Sequence, residues 1–120
     1  MNNEPFTELE ELGVDVASAL RRFGGKPELF MKYIRLFPED TSFAELAAAM
    51  QSGDTEAAMS AAHTLKGVSG NLGFSEISRM SNSVLVRLRE GRYTDASAAA
   101  EELSGEYADV LARLEKILSE

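Results

Sequence analysis

The chain has 120 residues, enough for one domain with its own core, and no cysteine, which excludes disulfides, thiol catalysis and thiolate metal sites. Its formal net charge of −8 argues against a nucleic-acid partner, because such binding rests on clustered Lys and Arg neutralising phosphates. No apolar run approaches the ~20 residues of a membrane span, and the polar opening Met1-Asn2-Asn3-Glu4-Pro5 is unlike a secretory leader, so a cytoplasmic protein away from membranes is expected.

Residues 1–12 show little periodicity beyond Phe6, Leu9 and Leu12 and read as a lead-in or one short helical turn. Asp15 is placed to cap a short helix carrying Val16, Ala19, Leu20 and Phe23, which Gly24-Gly25 ends. Pro27 suits a first helical turn, and Leu29, Phe30, Tyr33, Ile34, Phe37, Leu46, Ala47 and Met50 then keep a helical period to about Gln51. Pro38 interrupts that period, which predicts a kink near residues 34–38 or, if the break is complete, two helices in series. Gly53 closes the element and Asp54 caps the next. After Gly73, Ser75 is expected to cap a helix with the stripe Ile77, Met80, Val84, Leu85 and Leu88, ending at Gly91. Thr94 is expected to cap a last long helix buried through Ala96, Leu103, Tyr107, Val110, Leu114 and Leu118. With no alternating β pattern and only short connections, the fold class is all-α: an antiparallel up-and-down four-helix bundle with a short additional N-terminal helix.

The third helix, the second long one, holds the only histidine, His63, in the run His63-Thr64-Leu65-Lys66-Gly67-Val68-Ser69-Gly70-Asn71-Leu72-Gly73. At 100° per residue, Ala58, Ala61, Ala62, Val68, Ser69 and Leu72 fall within about 60° of Leu65, a complete core stripe, whereas His63 lies about 160° away. Gly67 and Gly70 share the histidine's face and clear the approach to it, with Met59 and Ser60 at the edges of the same face. Lys66, one turn on, can bring a cation to an oxyanion at the imidazole. An exposed imidazole with an unperturbed pKa of ~6.5 is largely neutral near pH 7 and is a competent nucleophile. From His63 to Arg92 five basic residues face two acidic ones, a net of +3 in an otherwise acidic chain, which favours an anionic partner or group. No second His or Cys stands by to build a metal site, and there is no phosphate-cradling loop.

His63-Thr64-Leu65-Lys66-Gly67 followed by Gly70-Asn71-Leu72-Gly73 resembles the signature of histidine-containing phosphotransfer (HPt) domains. The resemblance covers residues 13–118, including Gly13-Val14-Asp15, Arg22-Phe23-Gly24-Gly25 and the Gly53-Asp54 turn, and leaves 1–12 outside the domain. It implies that His63 is phosphorylated and exchanges the phosphoryl group with receiver aspartates, that Lys66 stabilises the phosphoryl oxygens, and that Gly67 and Gly70 give the receiver access. A second basic residue on the following helix is implied at Arg89. The divalent metal belongs to the receiver, so no cofactor is expected on this chain. The implied partners are response-regulator receiver domains and a hybrid sensor histidine kinase, met by a monomer, in a two-component phosphorelay. The phosphotransfer domains of chemotaxis-type kinases keep a carboxylate twenty-two residues past the histidine to orient the imidazole, and other relay members often have glutamine near that place; Leu85 stands there, which points to receiver-to-histidine exchange. The chain is therefore expected to be a phosphocarrier without a kinase or ATP-binding domain of its own, and Met1 with the polar Ser119-Glu120 reads as a free-standing protein. Two other readings stay open: a helical interaction module that transfers nothing, and a hydrolase, for which no base or oxyanion partner stands out in the sequence.

Overall fold

The computed structural model describes residues 4–119, and its regular elements are seven α-helices and one 3-10 turn. Residues 1–3 and 120, which carry part of the polar-leader and free-standing readings, lie outside the described residues. The helices are α1 Glu4–Leu12, α2 Val16–Arg22, α3 Pro27–Leu36, α4 Ser42–Ser52, α5 Thr55–Asn71, α6 Ser75–Arg89 and α7 Tyr93–Ser119, with the 3-10 turn Phe37–Glu39 between α3 and α4. Helices α4 to α7 pack in chain order as an up-and-down bundle, and α1 lies on α7.

Local chemistry sets most of the ends. The Asp15 and Asp54 carboxylates accept from the N–H groups of Ser18 and Ala57, both at 3.1 Å, capping α2 and α5. Gly53 turns α4 into α5 in the left-handed region (φ 75°). Pro38 breaks the helix completely: the chain tightens into the 3-10 turn, becomes extended at Asp40 (φ −67°, ψ 134°) and restarts at Ser42, whose N–H donates to Asp40 Oδ2 at 3.0 Å.

Three expectations change. Residues 4–12 form a helix of nine residues with Leu9 fully buried, because Phe6, Leu9 and Leu12 recur on one side and find α7 and α3 to cover them. Ser75 is the first residue of α6 and Phe74 stands at the cap position, its carbonyl accepting from Ser78 N–H at 3.0 Å. Burial of the Phe74 ring, stacked 4.5 Å from Phe37, fixes that residue where a polar cap was expected. Thr94 lies inside the first turn of α7, since the first carbonyl to accept is that of Arg92, from Ala96 N–H at 2.9 Å.

The core runs the length of the bundle through Leu46, Leu65, Ile77, Val84, Leu85, Leu103 and Leu114. Two aromatic groups close it. Phe6, Phe23, Phe30 and Tyr33 join α1 to α3, and Phe37, Phe74, Phe43 and Tyr107 join the Pro38 break to α7. Burial, and secondarily the charge of Asp40, pushes the Tyr107 phenol above its ordinary pKa.

The α5–α6 turn is tied to the N-terminal segment by one close approach. Asp15 N–H donates to Gly73 O at 2.8 Å, and Val14 bridges to Phe74. Gly73 has φ 88°, and a Cβ there would sit 2.8 Å from Asp15 O and 3.0 Å from Val14 Cγ1. The nearest of these atoms is backbone, so a Cβ could be admitted only by shifting the chain at Asp15. Gly73→Ala is expected to lower stability by about 2 kcal/mol or more, measured by urea unfolding; a loss of less than about 0.5 kcal/mol would show that the approach is loose.

Candidate functional site

Helix α5 divides its surface as the projection requires. Ala58, Ala61, Ala62, Leu65 and Ser69 are buried, Val68 is half-buried, and His63 is exposed. The small alanines let α4 and α6 lie close on either side, which leaves the line of His63 and Gly67 bare. The His63 imidazole has no hydrogen-bond partner among the described residues, so its ring nitrogens are open to an incoming group.

Around it lies a shallow open depression of about 350 Å³ lined by Arg22, His63, Lys66, Gly67, Gly70, Asn71 and Ser78. Lys66 is half-buried in it, and Gly67 is exposed with nothing within 4 Å of where a Cβ would stand. Gly70 is different. A Cβ there would lie 3.0 Å from Ser78 Oγ, so this glycine lets α6 approach α5 as well as lining the depression. Ser78 uses that closeness: its hydroxyl donates to Lys66 O at 2.9 Å and ties the helix turn that carries the lysine to α6.

Arg22 and Ser78 line the depression, and the reading of the sequence gave neither a place there. From the last turn of α2 the Arg22 Nη2 donates to Gly70 O at 2.7 Å and its Nε to Asn71 O at 3.1 Å, while Nη1 donates to Ser18 Oγ at 2.8 Å. The guanidinium thereby satisfies two carbonyls at the C-terminal end of α5, where a cation is favoured. The one signal in the sequence was its place in Arg22-Phe23-Gly24-Gly25, where Gly24 and Gly25 (φ 66° and 72°) end α2 and let the chain turn into α3.

The structure does not bring Arg89 to this depression; it is exposed at the C-terminal end of α6. Ser60 is exposed, and Met59 is half-buried against the core, so neither lines it. Leu85 is fully buried, pointing into the bundle. Among the described residues no three of His, Cys, Asp and Glu are grouped to hold a metal ion, and no helix is long and apolar enough to cross a membrane.

The arrangement offers an uncovered imidazole with Lys66 one turn away and no enclosing pocket, a surface open to a macromolecular partner. The family model described as Hpt domain matches residues 32–117. No curated protein and no solved structure matches the chain.

The bare line of α5 yields a paired test. Gly67 and Gly105 are both helical, exposed and open at the Cβ position, but only Gly67 adjoins His63. Alanine at either is expected to raise stability by about 0.5–1 kcal/mol. Gly67→Ala is expected to slow reaction of His63 with a macromolecular partner, and Gly105→Ala to leave it unchanged. Equal rates in both, measured side by side, would show that nothing docks over Gly67.

Proposed function

Because the chain belongs to the Hpt domain family, phosphocarrier modules of phosphorelay signalling that are not kinases, we propose that His63 accepts a phosphoryl group from a receiver-domain aspartate and passes it to a second receiver. The observation that carries this reading is the exposure of an unpartnered imidazole on the one face of α5 that the bundle leaves bare.

In the forward step the lone pair of an imidazole nitrogen forms the N–P bond as the bond from phosphorus to the aspartyl oxygen breaks. The electron pair of the broken bond stays on the carboxylate, and the second ring nitrogen keeps its proton. The return step reverses this on another receiver. Lys66 compensates charge on the phosphoryl oxygens, whose transition state is loose and needs positioning and charge more than covalent help. Arg22 steadies the end of α5 under the depression. The divalent metal and the acidic pocket are assigned to the receiver, and a hybrid sensor kinase to the head of the relay. Leu85, buried where some relatives carry a carboxylate, supports exchange with receivers over direct phosphorylation by a chemotaxis-type kinase.

Incubation with a phosphorylated receiver is expected to label the chain with an acid-labile, alkali-stable phosphoryl group. His63→Gln is expected to abolish the label, and Lys66→Ala to slow its appearance by about 10-fold or more, the scale of one lost charge contact at the transferring group. Label that persists in His63→Gln would overturn the assignment, and receiver binding by that variant alongside an unlabelled parent would favour an interaction module instead.

A further inference from the structure

Beside the depression, over the edge of the core where Val68 and Leu72, at the end of α5, meet Phe37, lies a larger concavity of about 560 Å³ between α5 and the α3–Pro38 segment. Phe23, Tyr33, Leu36 and Val68 make it apolar, and its charged lining residues are Glu39 and Asp40. Tyr33 and Leu36 are 42% and 44% exposed, large side chains left uncovered on neighbouring turns of α3. The concavity and the His63 depression share Asn71, and Phe23 of one follows Arg22 of the other in the chain. A protein docked over His63 with a specific interface of about 800 Å² on this side extends well beyond the depression, and the concavity is the apolar surface that adjoins it through Asn71.

The two parts carry opposite charge. Arg22 and Lys66, in the depression, enter no ion pair among the described residues, and they face the side where an acidic phosphorylation site must arrive. Asp40 is committed to the fold through Ser42 N–H. Glu39, set at the end of the 3-10 turn that Pro38 imposes, is exposed and has neither hydrogen bond nor ion pair among the described residues. An apolar groove bordered by a free carboxylate is complementary to an apolar ridge bordered by a cation.

We propose that Glu39 is a specificity determinant: it selects receivers whose docking face pairs an apolar ridge with an adjacent lysine or arginine. Receivers that place a carboxylate there are repelled, so the discrimination includes an unfavourable element as well as an attractive one. The inference rests on the reading of His63 as the phosphoacceptor.

The test uses the full chain, Glu39→Lys and Glu39→Gln, and a panel of phosphorylated receiver domains encoded in the same genome, with phosphoramidate as a small donor that reports His63 reactivity without docking. For the receivers that serve the parent best, the half-saturating concentration is expected to rise about 10-fold in Glu39→Lys and less in Glu39→Gln, with the rate at saturation retained and the penalty shrinking as salt is added. Changing the receiver's basic residue to glutamate is expected to restore transfer to Glu39→Lys. An unchanged half-saturating concentration for Glu39→Lys at low salt, with phosphoramidate labelling intact, would overturn this inference alone. A parent protein labelled by neither receivers nor phosphoramidate would overturn the phosphocarrier reading and the inference with it.

Discussion

The constraint on which the structure turns is that α5 is packed on both flanks yet must keep one line of its surface bare. Ala58, Ala61 and Ala62 meet the first demand, since small side chains bring α4 and α6 close to the helix axis while Leu65 and Ser69 continue the buried stripe. His63 and Gly67 meet the second, one supplying an exposed imidazole and the other an absence of side chain beside it. Neither would suffice separately. A histidine on a helix with larger neighbours would sit in a crowded groove, and a bare helix without histidine would have nothing to offer a phosphorus centre.

The end of α5 is secured by a different set of forces. Gly73 permits the close approach that lets Asp15 N–H reach its carbonyl, and Gly70 permits the approach of Ser78. Arg22 then bonds the carbonyls of Gly70 and Asn71 from α2. These contacts bring Arg22 beside the His63 depression and Phe23 into the neighbouring groove. Helix α2 and its cap are thus part of the surface beside His63, and the complete break at Pro38 places Glu39 on the same groove as Phe23.

Much of this was legible in the residues, and what was not has a common cause. Asp15, Pro27, Gly53 and Asp54 mark helix ends by chemistry confined to a few neighbouring residues, and the 3.6-residue period assigns His63 to the outside of α5. Contacts between helices depend on register, which periodicity does not contain. Arg22 meets carbonyls 48 and 49 residues away, and only its place before Phe23-Gly24-Gly25 sets it apart from Arg21. Gly70 shares a face with Gly67 in projection, but only the position of Ser78 shows that its missing side chain is filled by a neighbour. Arg89 is basic and on the expected helix, but α6 carries it away from the depression. The helix of residues 4–12 is too short to announce itself by period and exists because the core covers Leu9.

The chemistry assigned to this surface is economical, since the chain contributes an accessible imidazole, nearby positive charge and a shaped approach, and the partner brings the remainder. Because His63 is the single histidine in the chain, its two ring nitrogens can be followed individually by 15N NMR without assignment ambiguity. Upon addition of a phosphorylated receiver, one imidazole nitrogen is expected to acquire a one-bond coupling to 31P and to shift, and both changes are expected to reverse when an unphosphorylated acceptor receiver is added. Transfer of phosphoryl groups between the receivers with both imidazole signals unmoved would contradict the assignment of His63 as phosphoacceptor.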